Sequence, residues 1–274
     1  MNKELKHIIL IGSMKSGTTT LYDHLTKHPE IAKGVSKEPE YFSINMGKGK
    51  EELKKREYAD IFLVDKDIHK FTLDASTGYT KFPAEAGVPE RIKNYGIKPY
   101  FIYIVRNPIE RIKSHYNFMK KDLSWKGKID SPHLINTSKY YMQLKEYRKF
   151  FSKEHILVVD FEELKKNPAE LCNKIFKFIG ASKVEINIES ITKNKTNPTN
   201  RKQIKTIKKL EIFAKYSPKT LNKLIKSAIK TIYPSKIEKL SNEQISTILN
   251  LLKQDMELLK NEYNINTDKW IQNI

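Results

Sequence analysis

Four short apolar runs are spaced along the first two thirds of the chain: His7–Gly12, Phe71–Asp74, Pro99–Arg106 and Ile156–Asp160. The third, P-Y-F-I-Y-I-V-R, is continuous rather than alternating. That pattern predicts a strand covered on both faces. Between and after these runs, apolar residues recur at helical spacing over Thr18–Lys27, Ile109–Lys121, Tyr140–Phe151 and Pro168–Ile179. Pro108 stands at a helix start, where its missing N–H is not needed. Gly180 is placed to close a helix in the left-handed conformation. Strands alternating with helices predict an α/β fold: a central parallel sheet flanked by helices, with ligands beyond the carboxyl ends of the strands.

Past Ala181 the pattern changes. Val184–Arg201 is polar, rich in Asn and Thr, and reads as loop. Lys202–Ile232 is rich in lysine and reads as helix. Ser241–Tyr263 opens on S-N-E-Q, a capping arrangement, and continues at helical spacing. The fold therefore carries a helical C-terminal part. With no internal repeat and no linker-like stretch, residues 1–274 read as one domain.

Composition adds less than the pattern does. The chain has 51 Lys and Arg against 32 Asp and Glu, a net charge of +19. A basic balance points to anionic partners. The lysines run along the whole chain, so most read as solvated surface, and the rest as steering for a charged ligand. The single cysteine, Cys172, excludes an intramolecular disulfide and lies on an apolar helix face, where it reads as a small buried hydrophobe. The N-terminus lacks the apolar core of a secretory leader, and no apolar run approaches a membrane span. Both point to a cytoplasmic location without an integral membrane segment.

The chemistry is concentrated in I-I-L-I-G-S-M-K-S-G-T-T-T-L, Ile8 to Leu21. A buried strand runs into a hydroxyl-rich turn between Gly12 and Gly17, and a helix follows. Successive N–H groups of such a turn cradle phosphate. A nucleoside triphosphatase loop has its lysine directly after the second glycine. Here Thr18 and Thr19 stand there, and the loop's lysine is Lys15. On residues alone the loop is compatible with a P-loop kinase-like nucleotide enzyme, and the net charge with a basic nucleic-acid-binding protein.

K-S-G-T-T-T-L followed by a helix ending in H-P-E-I (His28 to Ile31) resembles the phosphosulfate loop of sulfotransferases that use 3′-phosphoadenosine 5′-phosphosulfate. Tyr100 to Tyr116, Y-F-I-Y-I-V-R-N-P-I-E-R-I-K-S-H-Y, resembles that family's 3′-phosphate motif. Lys37 to Phe42, K-E-P-E-Y-F, resembles the segment bearing the catalytic glutamate in the heparan sulfate branch and its bacterial relatives. The stretches Tyr140–Pro168 and Leu251–Trp270 resemble distal parts of the same domain.

The resemblance implies an enzyme acting on an anionic nucleotide donor and a glycan or small-molecule acceptor, without nucleic acid. Its product would be 3′,5′-adenosine bisphosphate. Lys15 would stabilise charge on the leaving phosphate, and Ser16, Gly17, Thr18, Thr19 and Thr20 would hold the phosphosulfate. Arg106 and Ser114 would read the 3′-phosphate, and Arg201 and Lys202 would add phosphate contacts from a covering loop. Arg111 reads either as a further ligand or as surface charge beside Glu110. No metal is implied, because the donor carries one phosphate at its reacting end. Glu38 would be the general base. Glu40 lies two residues on, and in an extended segment both carboxylates would face one side. His69 and His115 read as structural. One departure stands out. Where the heparan sulfate branch has E-K-[ST]-P-x-Y, Asp74 to Tyr79 reads D-A-S-T-G-Y, with Ala75 in place of the lysine.

Overall fold

The computed structural model describes residues 5–45, 51–120, 122, 125–184 and 238–272, with isolated positions between 206 and 233. The readings over Val184–Arg201 and Lys202–Ile232 fall almost wholly outside these residues. A five-stranded parallel sheet is built from β1 (Lys6–Gly12), β2 (Ile31–Lys33), β3 (Phe71–Asp74), β4 (Tyr100–Val105) and β5 (Ile156–Asp160). Its order is β2-β3-β1-β4-β5. Every pairing is parallel. The four apolar runs are the four longer strands, as expected. The three-residue edge strand β2 is too short to show a period.

The central strands are apolar throughout because both faces are covered. Ile8 and Leu10 of β1, with Ile102 and Ile104 of β4, pack in one cluster with Leu21 and Leu25 of α1 (Thr18–Leu25) and Leu171, Cys172 and Ile175 of α8 (Pro168–Ile179). Ile9, Ile11, Phe101, Tyr103 and Val105 point the other way. They meet Ile92 of α3 (Val88–Tyr95), Ile109 and Ile112 of α4 (Pro108–Met119) and Leu144 of α6 (Tyr140–Arg148). Consecutive strand side chains alternate between faces, so each layer takes every second residue. Short α2 (Glu51–Lys54), α5 (Pro132–Asn136) and α7 (Phe161–Lys166) complete this part.

The C-terminal helices α9 (Asn242–Tyr263) and α10 (Asp268–Gln272) pack on the second layer. Ser241 and Gln244 form the expected capping box. Asp255, buried on α9, accepts from the Tyr141 and Met142 N–H groups at the start of α6 (3.0 and 2.8 Å). Burial raises its pKa to about 6. Among the described residues, no helix is long and apolar enough to cross a membrane.

The pairing of β1 with β4 shifts register between Leu10 and Gly12. Such an irregularity re-aims the chain at a strand end, and here it launches the loop. The carboxyl ends Gly12, Asp74, Val105 and Asp160 all open on one edge of the sheet.

Candidate active site

The loop at the end of β1 is shaped by contacts its glycines allow. Gly12 has φ +139°, and a Cβ there would sit 2.3 Å from the Thr80 hydroxyl. Gly17 has φ +87°, and a Cβ there would meet the Phe161 ring at 2.7 Å. Lys15 also lies in the left-handed region, at φ 72°. Ser13 ties the loop to β4, its N–H and hydroxyl both donating to the Ile104 carbonyl (2.8 and 3.0 Å). Its one proton is then committed, so the 2.6 Å contact with Ser16 is donated by Ser16. The Ser16 N–H donates to the Ser13 carbonyl. Ser16 is fully buried, and both its donors serve the loop's own shape. The Ser16 side chain therefore helps to set the shape of the loop.

Helix α1 begins directly from Gly17, with no side chain capping its N-terminus and no acid in its first turn. The first N–H groups of a helix have no intrahelical acceptor and carry the positive end of its dipole. Thr18 is buried there, Thr19 is exposed and Thr20 is half-buried. The Lys15 ammonium lies 4.9 Å from the Phe118 ring centroid on α4. The loop's lysine and the uncapped first turn of α1 thus bring together positive charge suited to a phosphate-like anion.

Two arginines from the next strand–helix unit brace the loop from below. Arg106 donates to the Lys15 carbonyl (3.2 Å) and lies over the Phe161 ring, at 4.9 Å. Glu110 is 3.7 Å from its guanidinium. Its own carbonyl accepts from the Tyr140 hydroxyl. Asn107 caps α4 through Oδ1, taking the Ile109 and Glu110 N–H groups, while its amide donates to the Trp270 carbonyl of α10. Ser114 lies on the same helix, largely buried.

Arg111 is neither a surface charge nor an exposed ligand. It is 0 % exposed. It donates to the Ser138 hydroxyl (2.7 Å), the Leu134 carbonyl (2.6 Å) and the Met14 carbonyl of the loop (3.4 Å). Its Nη1 also lies 2.9 Å from His115 Nδ1. A guanidinium can only donate, so His115 accepts at Nδ1 and carries its proton on Nε2. Burial, then the Arg111 charge, holds the His115 pKa well below its usual range. His115 is thus a neutral support, as expected, and His69 accepts the Asp65 N–H in a surface turn.

The acidic side of the site is built differently. Glu38 and Glu40 flank Pro39, and both have left-handed backbone, φ 54° and 52°. The segment is therefore not extended, and the carboxylates part company. Glu40 is 6 % exposed. It accepts from the Ser43 hydroxyl (2.6 Å) and the Gly78 N–H (2.8 Å). Burial raises its pKa to about 7. Asp74, fully buried at the end of β3, accepts from Ser76, Tyr79 and Tyr58 hydroxyls at 2.6, 2.9 and 3.2 Å. Its pKa is raised to about 6, again by burial. The Glu40 N–H donates to Ser76, which joins the two acids into one network.

Glu38, by contrast, keeps 37 % of its side chain exposed and accepts from the Lys37 ammonium at 3.1 Å. The same ammonium donates to the Thr19 hydroxyl at 2.9 Å. One lysine therefore links the Glu38 carboxylate to the first turn of α1. Lys81 lies nearby. Burial pushes its ammonium below the usual range, and the Glu40 and Glu38 charges oppose that shift. Ala75 is fully buried in the apolar layer under α1.

Sequence reasoning missed Lys37, Lys81, Asp74 and the bracing role of Arg111. A lysine beside a motif glutamate carries no signal in a chain with this many lysines. Arg201 and Lys202 lie outside the described residues. Burial pushes the Cys172 thiol up to about 12, which keeps it an unreactive hydrophobe.

A lysine-bearing anion loop at the end of β1, an arginine at the end of β4 and an accessible carboxylate beside them define an α/β group-transfer enzyme of P-loop-like architecture. A model of the sulfotransferase domain matches residues 5–259, and the chain belongs to that family of enzymes. It is 26% identical over 200 residues to human heparan sulfate glucosamine 3-O-sulfotransferase 3B1, covering 67% of this chain and 48% of that protein. It is 24% identical over 199 residues to mouse bifunctional heparan sulfate N-deacetylase/N-sulfotransferase 4, covering 65% of this chain and 22% of that one. The chain thus matches less than half the length of these relatives. A crystal structure of a sulfotransferase from Alicyclobacillus acidocaldarius shares the fold, with TM-score 0.66, 18% identity, and 97% and 99% of the two chains covered.

Proposed function

We propose that this sulfotransferase moves a sulfuryl group from 3′-phosphoadenosine 5′-phosphosulfate to a hydroxyl or amine of a glycan or small-molecule acceptor, with Glu38 as general base. The observation that carries the reading is spatial. The accessible Glu38 carboxylate stands one lysine away from the first turn of the phosphate loop's helix. The heparan sulfate enzymes among the relatives support a glycan acceptor. We also read residues 1–274 as acting as one sulfotransferase domain.

The donor, when bound, presents an SO₃ group on a phosphate leaving group. Lys15 and the N–H groups of Gly17, Thr18, Thr19 and Thr20 receive its 5′ end, where negative charge grows as the bond to sulfur breaks. Ser16, which also holds the turn in shape, contributes to the same phosphosulfate site. Arg106 and Ser114 receive the 3′-phosphate, the group that separates this donor from other adenine nucleotides. A guanidinium over an aromatic floor suits a doubly charged phosphate. Arg201 and Lys202 would add contacts from the chain between α8 and α9. Glu38 takes the proton from the acceptor as its oxygen or nitrogen attacks. Glu40 does not share that task, since both its oxygens are engaged in the network that holds the turn.

Calorimetric titration tests this reading. 3′,5′-Adenosine bisphosphate should bind at least tenfold more tightly than AMP, because the second phosphate gains charge-assisted contacts. Equal affinity for the two, or preferred binding of ATP, would remove the assignment.

A further inference from the structure

We propose that Lys37 is the residue that recognises the transferring sulfuryl group, an inference that rests on the donor assignment above. The transferring group must lie between the atom it leaves and the atom it joins. On that reading, the first lies at the mouth of the α1 turn, and the second is served by Glu38. The Lys37 ammonium already spans this interval, 2.9 Å from Thr19 Oγ1 and 3.1 Å from Glu38 Oε1.

The local fold enforces that position. Glu38 is held at φ 54°, a conformation an L-residue adopts at an energetic cost and keeps only where its surroundings impose it. The surroundings are identifiable. Two residues on, Glu40 is fixed by Ser43 and Gly78, and its N–H by Ser76. This anchoring turns the segment back on itself, so that two adjacent side chains converge on one point. The Lys37 side chain keeps 27 % of its surface exposed, so a ligand can reach it. An ammonium has three donors, and the Thr19 and Glu38 contacts take two of them. Ala75 stands where the heparan sulfate branch has a lysine, and its methyl is buried in the apolar layer. Lys37 supplies positive charge at Glu38.

If Lys37 reads the sulfuryl oxygens, it contributes to binding of the sulfated donor and not of the desulfated product. An ordinary surface ion pair would contribute little to either. The test compares dissociation constants of 3′-phosphoadenosine 5′-phosphosulfate and 3′,5′-adenosine bisphosphate, without acceptor, for the intact protein, Lys37→Met and Lys37→Arg. Lys37→Met should weaken the sulfated donor about 10–100-fold, the range for a lost hydrogen bond to a charged group. The bisphosphate should change by less than about twofold, and Lys37→Arg should recover most of the loss. Thermal unfolding should be unchanged for both variants, since the side chain is partly exposed. Equal weakening of both nucleotides would make Lys37 a support of the loop and overturn the proposal. No change in either would reduce it to a surface pair. Should the intact protein bind the bisphosphate no better than AMP, the donor assignment itself falls, and this inference with it.

Discussion

The two sides of the site are built on opposite principles. The donor side is made of backbone. Its loop takes its shape from two glycines without room for a side chain, from Ser13 tied to β4, and from arginines that grip the carbonyls of Met14 and Lys15. The acidic side is made of side chains on irregular segments. There, Glu40, Asp74, Ser43, Ser76, Tyr58 and Tyr79 form a buried hydrogen-bonded network, and Glu38 stands out of it. A backbone cradle accepts any suitably sized phosphate-like group. A carboxylate held by neighbours can be tuned to one acceptor. On the function proposed above, the first side would mainly hold the donor and the second would mainly serve the acceptor.

The sharpest way to break this division is Glu38→Gln. Loss of a positioned base should lower turnover by about 10²–10⁴-fold. Because Glu38 lies outside the buried network, bisphosphate affinity and unfolding temperature should stay as they were. An assay with labelled donor against a screened set of glycans and small alcohols measures the first, and calorimetry the second. A variant that loses donor binding as severely as turnover would show that the two sides are not separable.

Arg106→Ala probes the other side. It should remove most of the preference for the bisphosphate over AMP, about 2–4 kcal/mol for a lost charge-assisted pair. Part of the effect will come through the Lys15 carbonyl, which Arg106 also holds. Titrating AMP against the variant separates the two. A fall in AMP affinity reports the loop, and a fall in the preference reports the 3′-phosphate. An unchanged preference would place the 3′-phosphate elsewhere.

The smallest effect is one of pH and belongs to the buried acids. Burial raises Glu40 to about 7 and Asp74 to about 6, so the folded state binds protons more readily than the unfolded chain does. Stability supplied by these groups is therefore fully present below about pH 4, where both states are protonated. It is lost as pH rises through about 6 and 7. Glu40→Gln should flatten that decline and make the variant the more stable protein above pH 8, by about 1–3 kcal/mol. Urea unfolding between pH 5 and 9 measures it. A decline of the same slope in the variant would show that Glu40 is already ionised in the fold.

Much of the donor side was legible because it obeys local rules. A strand that enters a glycine-flanked turn and leaves as a helix is written in consecutive residues, and so is the Arg-Asn-Pro helix start of α4. The four longer strands show in the same way, because a strand covered on both faces must be apolar throughout. Arg111 was not legible. Beside Glu110, and on a helix rich in charge, it looks like any surface arginine, and only the packing of α4 against α5 buries it under the loop. Glu38 and Glu40 were legible as a pair but not as opposites. An extended backbone would have aimed both at one place.

The sequence by itself thus determined the four longer strands, the main helices that follow them, the anion loop and the family, because each depends on residues near one another in the chain. The tertiary structure decided which charges meet. Lys37 reaches both Thr19 and Glu38, Asp74 meets Tyr58 and Tyr79, and Asp255 caps a helix more than a hundred residues earlier. Such contacts form where separate segments are folded against one another at the carboxyl edge of the sheet. Their strength depends on burial there, and burial is a property of the whole packed chain rather than of any segment of it.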